Sequence, residues 1–332
     1  MTRANAWMAN PAAGYELAGE SRKQPTCDHR WSPALRRRDA VTVNPLNLTI
    51  ILLTFNEEGR VEACLQSVEG IDAPVFAVDS FSTDRTRAIL EACGAHVVQH
   101  VFEGYAKQRN WAQANNPFHS DWVLHLDADE RLTPELRRWL IRDFPQLAPS
   151  CDGFMFSRRT VFLGRWIRHG GHYPSYHLRL FRAALGRCET KAYDQHFLVN
   201  GRTRIVPNAD IIDVVARSLT DFVASHNRWS SLEAAEMLSG TFSEEVVRPT
   251  LTGNPIGRRR WLKSKMFGRA PLFARSFAYF VYRYVFRLGF LDGREGLIFH
   301  VLQGFWFRFL VDAKYHEILH ERGRIPDTKE DA

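Results

Sequence analysis

Trp122-Val-Leu-His-Leu-Asp127-Ala-Asp129-Glu130 is the stretch whose reading decides the fold. An apolar run ends abruptly at two carboxylates one residue apart, with a third carboxylate directly after them. Such a run reads as a buried parallel strand, and open α/β sheets hold ligands beyond the C-terminal ends of their strands. The i, i+2 spacing puts Asp127 and Asp129 on the same side if strand geometry continues through them. Two like charges held close are costly unless a cation neutralises them, and Mg²⁺ or Mn²⁺ takes carboxylate oxygens. One reading is therefore a divalent-metal site that in turn holds a diphosphate. The other is a solvated acidic turn leading into a helix at Pro134-Glu135-Leu136, and the stretch by itself supports either.

The preceding sequence repeats the same grammar. Leu48-Thr-Ile-Ile-Leu-Leu-Thr54 is a short β-branched run of the fully buried type. Phe55-Asn56-Glu57-Glu58-Gly59 follows, and Val61, Leu65 and Val68 then recur at helical spacing. Glu57 and Glu58 fall in the first turn, where the helix dipole favours negative charge. A strand over Val75–Val78 ends at Asp79-Ser80, and Ser82-Thr83-Asp84-Arg85-Thr86 supplies capping residues ahead of Ala88-Ile89-Leu90. A third strand at Ala95–Val98 precedes a helix opening at Gly104-Tyr-Ala-Lys107-Gln108-Arg109-Asn110-Trp111. Strands and helices alternating at this spacing predict βαβ units and a doubly wound, mostly parallel sheet. Glu57, Asp79, Asp127 and Asp129 all follow strand C-termini, so they converge on one rim.

Beyond about residue 150 the pattern changes. Phe154–Phe156 and Thr160–Phe162 flank an arginine pair, and Tyr176-His-Leu-Arg179-Leu-Phe181 alternates as a strand does. Asn200-Gly201 between Phe197–Val199 and Arg204–Val206 is a hairpin signal. These read as antiparallel additions to the sheet. Ser218–Met237 is helical in pattern and carries His226 and Arg228, and the region from Trp261 to about His320 is helical, aromatic and basic. The expected division is a disordered tail at 1–46, a catalytic domain at 47–245 and a C-terminal helical region at 246–325.

Composition narrows the class. The 332 residues are 45% hydrophobic and 24% charged, ordinary for a globular protein. The formal charge is +7, yet Leu251–Phe290 alone holds nine Lys or Arg and no Asp or Glu. That segment points to an anionic surface, membrane or nucleic acid. Arg36-Arg37-Arg38 reads as part of a solvated tail. The five cysteines show no Cys-x-x-Cys pair, which fits a reducing compartment. The N-terminus lacks the apolar core of a signal peptide, and no uninterrupted apolar run approaches the roughly 20 residues that span a bilayer. The expected location is cytoplasmic.

Thr54-Phe55-Asn56-Glu57-Glu58, Val78-Asp79-Ser80-Phe81-Ser82-Thr83-Asp84-Arg85-Thr86 and Leu126-Asp127-Ala128-Asp129-Glu130, in this order and spacing, resemble the inverting family 2 glycosyltransferases of the GT-A fold. Gly104-Tyr105-Ala106-Lys107-Gln108-Arg109-Asn110 extends the resemblance to the branch that includes lipopolysaccharide-core glucosyltransferases. It covers roughly 48–240, and the C-terminal region through Gly289–Gly293 looks familial as well. The resemblance implies a nucleotide-sugar donor, of the UDP-linked type, and a divalent metal, Mg²⁺ or Mn²⁺. Thr54, Asn56 and Glu57 then sit where the family holds base and ribose, and Asp79 where it contacts either. Asp129 matches the metal-contacting carboxylate, with Asp127 beside it toward metal, donor sugar and ribose. Lys107 and Arg109 fall where basic side chains approach the diphosphate, although an ordinary solvated helix face is the competing reading.

Direct displacement at the anomeric carbon needs a carboxylate to take the acceptor hydroxyl's proton. Related enzymes often show a His-Glu pair just before the hairpin, whereas this chain has Tyr193-Asp194-Gln195-His196. Gln195 stands at the Glu position and cannot act as a base. Asp194 is therefore the candidate base, and His196 its supporting partner or a metal contact. Arg179 is a candidate for donor phosphate or acceptor, or a strand salt bridge. Trp166, His169, His172 and Tyr173, in a glycine-rich loop, suit stacking on an acceptor sugar or plain packing. His226 and Arg228 fit a polar helix face.

Arg258-Arg259-Arg260, Lys263 and Lys265 accompany Phe273, Phe277, Phe280, Tyr284 and Phe286, with Phe305-Trp306-Phe307 later. Arginines interrupt any span, so interfacial helices on an anionic membrane surface fit better than a crossing. Packing on the catalytic domain or on another subunit is the alternative. No nucleic-acid module accompanies the charge, so no nucleic-acid partner is expected. The expected partners are the nucleotide-sugar, a cell-envelope glycan or lipid-linked acceptor, and the inner face of the cytoplasmic membrane. Transfer to a polyprenyl phosphate, a nucleotide-binding module without turnover and a membrane-surface scaffold are the competing functions.

Overall fold

Leu48–Thr54 forms β1, buried along nearly its whole length because β-branched and leucyl side chains fill both faces of the sheet. In the computed structural model, which describes residues 47–191, 194–216, 218–239, 255–262 and 270–323, it is the hub of the first half. The chain continues through α1 (Val61–Ser67), β2 (Val75–Asp79), α2 (Thr86–Ala92), β3 (His96–Gln99), α3 (Tyr105–Ala114) and β4 (Trp122–Asp127). β1 pairs in parallel with β2 on one side and β4 on the other, and β2 pairs in parallel with β3. The strand order 3-2-1-4 reverses direction between β1 and β4, and that reversal is where an open α/β sheet leaves a ligand crevice. Register brings the strand ends level: Thr54 lies opposite Asp79, and Leu53 opposite Asp127.

β4 is followed at once by β5 (Glu130–Leu132) and α4 (Pro134–Arg142). Thr133 caps α4, its hydroxyl accepting from Leu136 N–H at 3.3 Å, with Pro134 at the first helical position. The rest of the domain comprises α5 (Phe144–Leu147), β6 (Gly153–Phe162), β7 (Arg165–Trp166), β8 (Tyr176–Arg182), β9 (Gly186–Cys188), β10 (Phe197–Val199) and β11 (Thr203–Val214). Among the described residues the main sheet has nine strands, ordered 3-2-1-4-8-6-11-5 with β7 alongside β6. β8 is antiparallel to both β4 and β6, while β11 runs parallel to β6 and antiparallel to β5. The expected antiparallel additions therefore begin at β8.

One local expectation fails. Asn200-Gly201 does not close a hairpin between β10 and β11; β10 pairs instead with β9. The turn redirects the chain toward β6, anchored where Asp152 accepts from Arg202 N–H at 2.8 Å. Pairing with β9 also needs Gly186, since a Cβ there would fall 2.2 Å from the Phe181 ring. A turn signal specifies a reversal, not the partner strand.

The C-terminal part contains α6 (Leu219–Ser239), α7 (Pro255–Leu262), α8 (Ala274–Val281), α9 (Gly293–Phe299) and α10 (Phe307–Glu321), with π-type turns at Tyr282–Phe286 and His300–Trp306. α10 packs along α6, pinned by Arg308 to Glu233 (2.7 and 3.0 Å) and by Lys314 Nζ to Asn227 (2.7 Å). Arg275 is 5% exposed and doubly bonded to Asp312 at the core of this region. Arg283 donates to Gly170 O at 2.6 Å, and Asp292 accepts from His169, so these helices pack on the loop before β8. No described helix is long and apolar enough to cross a membrane. The segment 1–46, with Arg36–Arg38, lies outside the described residues, as do Lys263 and Lys265.

Candidate active site

At the switch point the chain assembles five carboxylates and four arginines. Asp127, the last residue of β4, is gripped by Arg109 of α3, whose Nη2 lies 2.8 and 3.0 Å from its two oxygens. Arg179 of β8 donates to Asp127 Oδ2 at 3.0 Å and to Glu130 Oε1 at 2.5 Å. Glu130 in turn accepts the Asp127 N–H at 3.0 Å. Asp213 lies opposite Glu130 in the β11–β5 pairing, and Arg158 of β6 donates to it at 3.0 Å. Arg60 completes the ring: it binds Glu57 through two 2.7 Å contacts and points Nη1 at Asp129 from 3.6 Å.

Asp127 and Asp129 do not share a strand face. β4 stops at Asp127, and Ala128-Asp129 forms the tight turn into β5. Asp127 is thereby committed to arginines, whereas the Asp129 carboxylate receives no hydrogen bond among the described residues. Electrostatics separates the two further. Burial works against the charge on Asp127, yet Arg109 and Arg179 hold its carboxyl well below the usual range. Burial, with Asp213 and Asp127 close by, pushes Asp129 well above that range, and Arg60 offsets only part of this. Burial likewise raises Glu130 and Asp213 against the pull of Arg179 and Arg158. The two neighbouring carboxyls are thus driven in opposite directions.

The loops after β1 and β2 are laced together. Asp79 is fully buried: Oδ1 accepts from the hydroxyls of Thr54 (3.1 Å) and Ser82, and Oδ2 from Ser82 N–H (2.9 Å) and Gln99 (3.3 Å). Asn56, at φ 53°, accepts from Thr83 N–H at 2.8 Å, and Glu57 N–H donates to Thr86 at 2.6 Å. Thr54, Asn56, Glu57 and Asp79 thus meet at one rim, as the strand ends require, with Asp79 behind it.

Lys107 and Arg109 part company. Two residues apart on a helix is about 200° of rotation. Lys107 is exposed and paired with Glu103 at 3.1 Å, the solvated-face arrangement, while Arg109 is buried in the site. Asp194 has a half-exposed carboxylate, φ 55° and His196 Nε2 3.7 Å away. The N–H of His196 donates to buried Glu189 at 2.7 Å, and Gln195 donates to Lys191 O at 2.9 Å. Asn110 brackets Cys188 with two hydrogen bonds (2.8 and 3.0 Å), docking β9 and β10 on α3.

The glycine-rich loop divides. His169 is bonded to Asp292 at 2.7 Å and His172 packs on Phe299, so both serve packing. Trp166 and Tyr173 meet edge to face at 5.0 Å, with Arg159 4.9 Å from the indole ring and the Tyr173 hydroxyl on Asp210. His226 stacks on Phe222 and bonds to its carbonyl at 2.7 Å, and Arg228 donates to Ser225 at 3.1 Å, both on the helix itself. Arg60, Arg158 and Asp213 were not singled out from sequence. They come from three separate elements, and no local motif links them.

A model of the family described as Glycosyl transferase family 2 matches residues 49–196, the segment that carries this rim. The chain carries a family 2 glycosyltransferase domain. It is similar to an uncharacterised glycosyltransferase of Rickettsia typhi, 26% identical over 82% of this chain and 87% of the relative. It is also similar to the lipopolysaccharide core biosynthesis glycosyltransferase LpsC of Rhizobium meliloti, 29% identical over 58% of this chain and 72% of that one. Among solved structures, a mannosyltransferase from Pyrobaculum calidifontis in complex with GDP-Man and Mn²⁺ aligns over 85% of this chain and 91% of its own, at 16% identity and TM-score 0.47. Family and fold agree: this glycosyltransferase has the expected α/β architecture, with the C-terminal helices after it.

The candidate site rests on ion pairs that can be tested directly. Arg179 and Glu130 are each under a tenth exposed. Arg179→Met removes the cation between Asp127 and Glu130, and stranding a buried charge costs about 3–5 kcal/mol. The expected result is a loss of that size in urea unfolding at neutral pH; an unchanged midpoint would refute the pairing as a structural element.

Proposed function

We propose that this glycosyltransferase carries out metal-dependent transfer, with inversion, from a uridine-diphosphate-linked sugar to a cell-envelope glycan or lipid-linked acceptor. The observation that carries the reading is Asp129: a carboxylate at the switch point, crowded by other carboxylates, with its nearest cation 3.6 Å away. Its oxygens are hard donors, and Mg²⁺ or Mn²⁺ characteristically takes one or two carboxylates and fills its other positions with water and phosphate oxygens. The donor set therefore fits such an ion, with Asp129 as the ligand and Asp127 held beside it by Arg109 and Arg179. When bound, the ion would neutralise charge developing on the leaving diphosphate.

Everything else falls to the chain. Thr54, Asn56 and Glu57 form the rim for base and ribose, and buried Asp79 fixes the shape of the two loops. Arg109 and Arg179 add positive charge where the diphosphate departs. Asp194 accepts the acceptor hydroxyl's proton as its oxygen attacks the anomeric carbon from the face opposite the diphosphate. Support for the envelope acceptor comes from the likeness to LpsC.

The test is a thermal-shift and nucleotide-release screen of nucleotide-sugars with and without Mn²⁺. A ligand that binds only the folded protein raises its apparent stability by mass action. The expected result is a metal-dependent shift with a uridine diphosphate sugar and slow release of the nucleotide. Equal shifts with and without metal would refute metal dependence, and no shift with any donor would refute the donor site.

A further inference from the structure

The helix from α8 through the π-type turn at Tyr282–Phe286 is inverted in polarity. Its inward residues are Arg275, Ser276 and Arg283, at 5%, 0% and 7% exposure. Asp312 neutralises Arg275, and Gly170 O receives Arg283. Its outward residues include Phe277, Tyr282, Val285 and Phe286, and Phe286 is 72% exposed. Ser276 and Arg283, seven residues apart and so on one line of the helix, are buried, while Phe277, Tyr282, Val285 and Phe286 are exposed around the rest of it. Leu288 and Leu291, both about half exposed, extend the surface through the next turn. A folded chain that satisfies charge inside and turns aromatics outward needs something apolar to cover them.

We infer that this face is a membrane-docking surface that seats in the headgroup and acyl boundary of an anionic bilayer. Two observations select lipid over a second copy of the chain, and a third fixes how the helix lies in it. Arg287 and Arg294, both exposed, border the apolar face, and the whole of Leu251–Phe290 contains no acidic residue. A two-fold interface would set those basic rims against their own copies, whereas anionic headgroups complement them. The helix with its π-type turn spans 13 residues, about 20 Å, too short to cross a bilayer and suited to lying in its plane.

The placement also has a functional geometry. Gly170 N–H donates to Arg287 O at 2.9 Å, and His169 is held by Asp292, so the docking face is fixed to the loop that carries Trp166 and Tyr173. That loop leads into Ser175, whose carbonyl accepts the Arg158 N–H at 2.9 Å, and Arg158 reaches Asp213 in the carboxylate cluster. A bilayer on this face stands one loop away from the site, on the side that presents an indole and a phenol. The inference concerns location and stands independently of the transfer chemistry.

The experiment is flotation of the full chain with phosphatidylethanolamine–phosphatidylglycerol vesicles and with phosphatidylcholine vesicles. Its comparison variant carries Val285→Asp together with Phe286→Asp. Wild type is expected to float with the anionic vesicles and to be released by salt. The double variant should partition at least about tenfold less, since carboxylates replace apolar groups at the lipid boundary. Its melting temperature and its response to soluble nucleotide-sugar should stay unchanged, which separates failure of docking from failure of the transferase reading. Equal flotation of wild type and double variant would overturn the inference, as would no flotation of wild type. A concentration-dependent dimer in sedimentation velocity that the double variant abolishes would overturn it in favour of a second copy.

Discussion

Asp129→Ala is expected to eliminate Mn²⁺-dependent donor binding and to lower turnover by roughly 10³-fold or more, since a catalytic metal supplies several kcal/mol of transition-state stabilisation. The same change should make the ligand-free protein more stable. Asp129 sits against Asp127, Asp213 and Glu130, and Arg60 offsets only part of this, so its charge is a strain on the apo fold. The sign follows from linkage. The folded-state value of Asp129 is raised, so its contribution to stability is full below the ordinary carboxylate range and is lost as pH rises through the raised value. Asp127 behaves oppositely: its value is depressed, so its contribution is present above the ordinary range and is lost as pH falls through the depressed value. In EDTA, Asp129→Ala should therefore lose less stability than wild type between mildly acidic and neutral pH. With Mn²⁺ and donor added, wild type should gain melting temperature and the variant should not. A variant that keeps the metal-dependent shift would remove Asp129 from the ligand set. Destabilisation for the sake of function is common where a site stores like charge for a ligand to relieve.

Residue by residue, the sequence was most legible where burial is two-sided. β1, β2 and β4 are continuous apolar runs because a parallel sheet covers both faces, and the carboxylates that end β2 and β4 mark the rim. What failed depended on geometry one step longer than the motif. Asp127 and Asp129 diverge because the strand stops at the first of them, which alternation alone does not reveal. Asn200-Gly201 signalled a turn correctly, but the partner of β10 is chosen by packing against Phe181 and Cys188 rather than by the turn. Lys107 and Arg109 were separable in principle: Ala106, Arg109 and Ala112 recur every three residues on the buried side of α3, and Lys107 is out of phase with them. The basic C-terminal region read as a sheet of surface charge, yet Arg275, Arg283 and Arg308 are consumed by Asp312, Gly170 and Glu233. Net charge counts residues; only the fold shows which charges face outward.

Asp194→Asn should preserve donor binding and remove transfer. The substitution is nearly isosteric, and Asn tolerates φ 55° as readily as Asp does, so the backbone at this position is kept. The loop is pinned on its far side by Glu189 and His196, whose bond does not involve the Asp194 side chain. An amide cannot take the acceptor's proton, and loss of a positioned base typically costs about 10²–10⁴ in rate. Donor KM and the Mn²⁺-dependent thermal shift should match wild type, while kcat should fall by that factor. Glu189, the nearest carboxylate in sequence, is fully buried and bonded to the His196 N–H, which bars it from an acceptor hydroxyl. Gln195 has no basic atom to offer and spends its amide on Lys191 O. We propose Asp194 as the base of this loop, and wild-type turnover by Asp194→Asn would move the base out of the β9–β10 loop altogether.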